Sequence, residues 1–135
     1  MILHQSSLIT LDYNPATDIL VVEYPDVHDF LLPHIRQSLA IMVEAIRNYD
    51  VKKLLLDASR TIIDVSEEEN RQLTLQLAAD LMHTRLQKVA RIQPLNYVRE
   101  TRAQENINRI RQEGMLPYQL ETFTSKAAAM DWLAS

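Results

Sequence analysis

The sequence predicts a single α/β domain spanning residues 1–135. It is built on a mixed, mainly parallel five-stranded sheet, its first strand antiparallel, flanked by about four helices in the order β-β-α-β-α-β-α-β-α. Three observations carry this reading. Short β-rich runs alternate with longer helical ones, a pattern that demands right-handed crossovers. Ile19-Leu20-Val21-Val22 is apolar on consecutive residues, as in a strand covered on both faces. Finally, the strand Lys53 to Asp57 ends on an acid, crosses a polar loop and enters a helix opened by Ser66-Glu67-Glu68-Glu69.

Leu8 to Tyr13 and Ile19 to Tyr24 are separated by Asn14-Pro15-Ala16-Thr17-Asp18, so they form an antiparallel hairpin with a five-residue loop. Pro25-Asp26 ends the second strand. From Asp29 to Tyr49 the apolar residues Leu32, Ile35, Leu39, Met42, Ile46 and Tyr49 recur at alternating spacings of three and four, the signature of an amphipathic helix. Asp29 is expected to cap it, and Pro33 sits in the first turn, where a missing N–H costs little.

Lys53 to Asp57 is the third strand. Ser66 caps the next helix with Glu69 bonding back, and this helix is expected to run to about Leu86. It carries two apolar stripes, one of Leu73, Leu77, Ala78 and Leu81, the other of Leu75, Ala79, Met82 and Leu86, and the second needs a partner. Lys88 to Gln93 is a fourth strand, stopped by Pro94. Asn96 to Glu113 is a charged helix closed by Gly114. Gln119 to Phe123 is the fifth strand, and Ser125 caps a last helix, Lys126 to Leu133.

Composition removes several functions. A single glycine excludes Gly-rich phosphate loops and the Gly-x-Ser-x-Gly nucleophile elbow, and the absence of cysteine excludes disulfides, a thiolate nucleophile and Cys-type zinc sites. The net charge of −4 opposes non-specific binding to nucleic acid, although arginine outnumbers lysine. The N-terminus lacks a signal peptide's basic and apolar regions, and no apolar run approaches membrane-spanning length, so a cytoplasmic domain without membrane insertion is expected.

The pattern Ile9-Thr10-Leu11-Asp12-Tyr13 … Asp18-Ile19-Leu20-Val21-Val22-Glu23-Tyr24 resembles the opening hairpin of STAS/SpoIIAA-like domains. Val51-Lys52-Lys53-Leu54-Leu55-Leu56-Asp57 resembles their central strand, and Phe123 … Ala127-Ala128-Ala129-Met130-Asp131-Trp132-Leu133 their closing segment. The likeness runs along nearly the whole chain and looks most like the small uncharacterised bacterial branch. It implies a mixed sheet with helices against it, in a superfamily that includes anti-sigma-factor antagonists and transporter-tail modules, with lipid-carrying relatives in the CRAL-TRIO domains. In the antagonist branch a serine beginning the helix after the central strand is phosphorylated, which makes Ser59 and Ser66 the candidates here. The sequence departs from that branch at Ser66-Glu67-Glu68-Glu69, where a phosphate would gain from the helix dipole but face three adjacent carboxylates.

Asp57 is better explained as an acceptor for loop amides than as a phospho-acceptor, because no acidic pair ends the first strand to hold Mg²⁺. The histidines His4, His28, His34 and His83 are scattered without metal-ligand spacing, and the dense cluster Asp26-Val27-His28-Asp29 is explained by capping. Arg99, Arg102, Arg109 and Arg111 are interleaved with Glu100, Glu105 and Glu113, which describes a solvated, salt-bridged face. No cofactor, metal site or catalytic constellation is expected. Surplus apolar residues, including Met42, Met82 and Met115, suit core packing first, a dimer seam second and an apolar ligand third.

The expected function is therefore that of a non-catalytic binding or regulatory module, acting on a partner protein or as a homodimer. Its recognition edge is formed by the loops around Asp57 to Ser66 and Gln93 to Tyr97, with Asp57, Ser59, Arg60, Asp64, Ser66 and Asn96 as the binding residues. The alternative is carriage of a small apolar ligand or lipid between the helices and the sheet.

Overall fold

A computed structural model describes residues 1–93 and 116–135. Its strands are β1 (Ile2–Gln5), β2 (Thr10–Asn14), β3 (Ile19–Glu23), β4 (Val27–His28), β5 (Lys53–Asp57), β6 (Ile63–Asp64), β7 (Lys88–Ile92) and β8 (Gln119–Phe123). Its helices are α1 (Leu32–Asn48), α2 (Glu67–Leu81) and α3 (Lys126–Ala134), and a single 3₁₀ turn, Asp29–Leu31, leads into α1. The helix expected over Asn96 to Glu113, with Asn96 itself and Met115, lies outside the described residues.

Among the described residues six strands, not five, form the main sheet in the order β1-β2-β3-β5-β7-β8. The extra strand is β1, antiparallel to β2. It escapes sequence patterning because it is only four residues long and mostly open to solvent at the sheet edge. Its turn is local chemistry: Ser6 Oγ accepts from the N–H groups of Leu8 and Ile9, both at 3.2 Å, and Ser6 N–H donates to Ile9 O at 2.8 Å. β2 and β3 form the antiparallel hairpin, while β3–β5, β5–β7 and β7–β8 are parallel. The sheet is mixed, as expected, but with three parallel and two antiparallel pairings it is less dominated by parallel strands, because β1 adds a second antiparallel pairing.

Both faces are covered, which is why β3 and β5 carry apolar residues on consecutive positions. On one face α1 and α2 enclose Leu11, Leu20, Val22, Leu54 and Val89 with Ile35, Met42, Ile46, Leu73 and Leu77. On the other, Ala129 and Leu133 of α3 close over Ile19, Leu55, Ala90 and Ile92. Lys88 ties down the end of α3. Its ammonium donates to Trp132 O at 3.0 Å, Ser135 O at 2.8 Å and Ser135 Oγ at 3.2 Å, and lies 5.1 Å from the Trp132 ring centroid.

Three element boundaries differ from expectation. α1 starts at Leu32 without a side-chain cap, so Asp29 opens the 3₁₀ turn instead of capping the helix. The helix stops at Asn48 and leaves Tyr49 exposed. Ser66 Oγ does accept from Glu69 N–H at 3.1 Å. The Glu69 carboxyl, however, meets that of Asp29, a hydrogen bond that raises its pKa above the ordinary glutamate value. α2 ends at Leu81 rather than near Leu86, because Thr84 Oγ1 donates to Leu81 O at 2.6 Å and accepts from Leu86 N–H at 3.3 Å, turning the chain. The second apolar stripe is therefore split. Leu75 and Ala79 face outward, and Leu86 is buried from the connecting loop.

Three phenols are held neutral by the fold. The hydroxyl of Tyr13 donates to Asp18 Oδ1 at 2.7 Å, and this bond, then burial and the Asp18 charge, pushes its pKa to about 12. Burial pushes Tyr24 to about 12 against a small opposing pull from Arg91, and burial alone pushes Tyr118 to about 12. A raised folded-state pKa means that the stabilisation is complete below the unfolded value of 10.0 and is lost as pH climbs toward about 12. Tyrosinate absorbance from these residues should rise together with loss of far-UV circular dichroism across that window. Ionisation that runs to completion with the circular dichroism intact would contradict the assignment.

Candidate functional site

Parallel pairing sets Glu23 directly beside Asp57 at the carboxyl ends of β3 and β5. Loops leaving neighbouring parallel strands at this edge converge, which is where open α/β sheets place binding surfaces. Tyr24 N–H donates to Asp57 O at 2.8 Å, Thr61 Oγ1 donates to Tyr24 O at 2.9 Å, and Ile62 N–H donates to Asp26 Oδ1 at 2.8 Å. Val27 N–H then donates to Ile62 O at 2.8 Å and begins a small parallel pairing of β4 with β6. This two-residue ladder has no sequence signature of its own, since each half exists only through the other.

Asp57 organises the start of the loop. Its Oδ1 accepts from Ser59 N–H at 3.0 Å and from Ser59 Oγ at 2.6 Å, so the carboxylate acts as a loop-amide acceptor. Ser59 and Arg60 follow it into an open depression of about 390 Å³, whose wall also includes Ser7, Glu23, Asp26 and His28. A shallower groove continues past Ser7, Leu8 and Leu31 to His4, His34 and Gln37. Of the residues expected to act together, Asp57, Ser59 and Arg60 share this depression. Asp64 lies outside it, with its carboxylate 3.8 Å from His28 Nδ1, and Ser66 uses its hydroxyl to cap α2. Asn96 is outside the described residues.

Sequence reasoning missed two residues at this edge. Phe30 is 78% exposed, and its ring stacks on His28 with centroids 5.6 Å apart and planes 15° from parallel. Ile62 is 58% exposed at the head of β6. Neither interrupts an apolar pattern, so the available signal was only that each adjoins a polar loop. Among the described residues no group of three or more His, Asp or Glu side chains converges to hold a metal ion.

A second hollow, of about 110 Å³, lies between α2 and the sheet. Leu56, Val89 and Leu120 form its floor, Leu77, Ala78 and Leu81 its α2 side, and Ala58, Thr61 and Ile63 the inner face of the loop. Tyr24 lines both hollows and separates them.

No family model and no curated protein matches the chain. A crystal structure of an uncharacterised protein from the DUF3478 family with a SpoIIAA-like fold, from Shewanella loihica PV-4, superposes with a TM-score of 0.58. The alignment covers 96% of this chain and 98% of that one at 16% sequence identity. The protein therefore has a SpoIIAA-like α/β fold, with a mixed six-stranded sheet among the described residues. Among the described residues no helix is long and apolar enough to cross a membrane.

Proposed function

We propose that this domain is a non-catalytic, STAS-like binding and regulatory module that captures a partner protein at the edge after β3 and β5. The observation that carries the reading is the exposure of Phe30 and Ile62 beside the depression holding Asp57, Ser59 and Arg60. Aromatic and arginine side chains ringed by polar groups are the usual anchors of protein interfaces. The loop is already tied to Tyr24, Asp26 and Val27 by hydrogen bonds, so little ordering entropy opposes association. Of the two serines considered for phosphorylation, Ser59 is the one at this edge. A phosphate there would displace the 2.6 Å bond to Asp57 and add charge beside Glu23, which would weaken an acidic partner and favour a basic one.

The variants Phe30→Ala and Ser59→Ala/Arg60→Ala/Asp64→Ala should keep the parent's melting behaviour and lose partner capture at least about tenfold, roughly 1.4 kcal/mol or more each. Affinity purification with the parent as bait, followed by titration of the captured protein against each variant, measures this. Undiminished binding by both variants would remove the edge from the reading. A second copy of the chain is the other partner this surface could take, and native mass spectrometry of parent and variants separates a homodimer from a heterologous complex. An activity abolished by Asp57→Ala with the fold intact would replace the non-catalytic assignment with an enzymatic one.

A further inference from the structure

We infer that the hollow beneath α2 is a ligand site for a small uncharged ring compound, one or two fused rings in size, carrying at most one hydrogen-bonding group. This goes beyond partner capture and does not depend on it. The volume of about 110 Å³, partly open to solvent, approaches that of engineered apolar cavities of about 150 Å³ that take up benzene. Leu56, Leu77, Leu81 and Val89 supply apolar walls, and Asn70 and Arg91, the latter already engaged, complete the lining. The polar atoms within are already engaged in part: Tyr118 Oη donates to Ala78 O at 3.3 Å, and Thr74 Oγ1 donates to Asn70 O at 3.0 Å. Tyr24 also lines the hollow, and burial holds its hydroxyl neutral. With Tyr118 and Thr74 it offers the polar groups that a single ligand heteroatom would meet. A chain-like lipid would exceed the volume, and an anion would face predominantly apolar walls whose Arg91 is already engaged.

The site also has an orientation in the fold. The loop from Ala58 to Asp64 presents Ala58, Thr61 and Ile63 to this hollow and Ser59 and Arg60 to the polar depression. A ligand here would therefore contact the underside of the recognition edge.

Indole and benzene are the probes, titrated into the full chain with methyl NMR and thermal melting as readouts. Saturable shifts at Leu77, Leu81 and Val89 with a Kd in the millimolar range or below, and a melting temperature raised by several degrees at saturation, are expected. Ala78→Leu should fill the hollow and weaken indole at least tenfold, whereas Tyr49→Ala, at an exposed position just after α1, should bind like the parent. Should Ala78→Leu fail to fold, Thr74→Leu fills from the same helix and loses only a bond back to Asn70 O. The inference is overturned if no methyl in the hollow responds up to the solubility limit of indole. It is equally overturned if the response survives the filling variant unchanged, or if Phe30→Ala abolishes it and so moves the binding to the outer edge.

Discussion

Leu54→Ala should lower stability by about 3–5 kcal/mol, which for a domain of this size is a fall in melting temperature of roughly 10–15 °C. Leu54 lies on β5, a strand with parallel neighbours on both sides, and its side chain is fully buried among the residues packed by α1 and α2. Close packing on every side leaves little room for collapse around the missing methyls, so the cavity cost adds to the lost transfer energy. The next residue, Leu55, points the other way and is fully buried against Ala129 and Leu133. Leu55→Ala should cost a comparable amount while acting on α3 instead. Leu75→Ala, on the outward face of α2, should stay within about 0.5 kcal/mol of the parent. Urea denaturation of the three variants measures the contrast, and a Leu54→Ala midpoint equal to that of Leu75→Ala would refute the assigned core.

Lys88→Ala is expected to cost about 2 kcal/mol and to act locally on the C-terminal helix. α3 has only nine residues, too few for stability by local hydrogen bonding, so it depends on docking. Two buried residues, Ala129 and Leu133, provide the apolar part. Lys88 provides the polar part by satisfying the last carbonyls of the helix, where a cation is also favoured by the dipole, and by covering the Trp132 ring. Removing it should expose α3 amides to hydrogen exchange well before those of β5 and β7. Uniform loss of protection across the domain would show that Lys88 stabilises the whole sheet rather than this helix.

Much of the architecture was legible because its causes are local. The three–four spacing of Ile35, Leu39, Met42 and Ile46 specifies a helix with one buried stripe. Ser66 and Ser125 mark helix starts, and each hydroxyl accepts the N–H three residues on, Glu69 and Ala128 respectively. The hairpin turn follows from Asn14, whose carbonyl accepts from Asp18 N–H at 2.8 Å while its side chain accepts from Ala16 N–H at 3.0 Å. Ile19 to Val22 and Leu54 to Leu56 show that helices cover both sides of the sheet before any helix is placed. The errors have equally identifiable causes. β1 is an edge strand with one partner, α2 is ended by Thr84 against its own apolar periodicity, and Glu69 turns from its cap toward Asp29 across a helix boundary.

The candidate site divides along the same line. From the sequence alone came the strand that ends at Asp57, the polar loop behind it with Ser59 and Arg60, and the capped helix beyond, all functions of neighbouring residues. Only the tertiary structure decided that Glu23 stands beside Asp57, that Asp26 and Ile62 clasp the loop, and that Phe30 is left in solvent. It also decided that the apolar surplus of α2 is distributed between a packed core, an exposed Leu75 and a hollow at the underside of the loop. The physical reason is range. Propensity, capping and turn chemistry act over a few residues and are written in order along the chain, whereas strand register, side-chain exposure and unfilled volume depend on segments more than thirty residues apart meeting at one sheet edge.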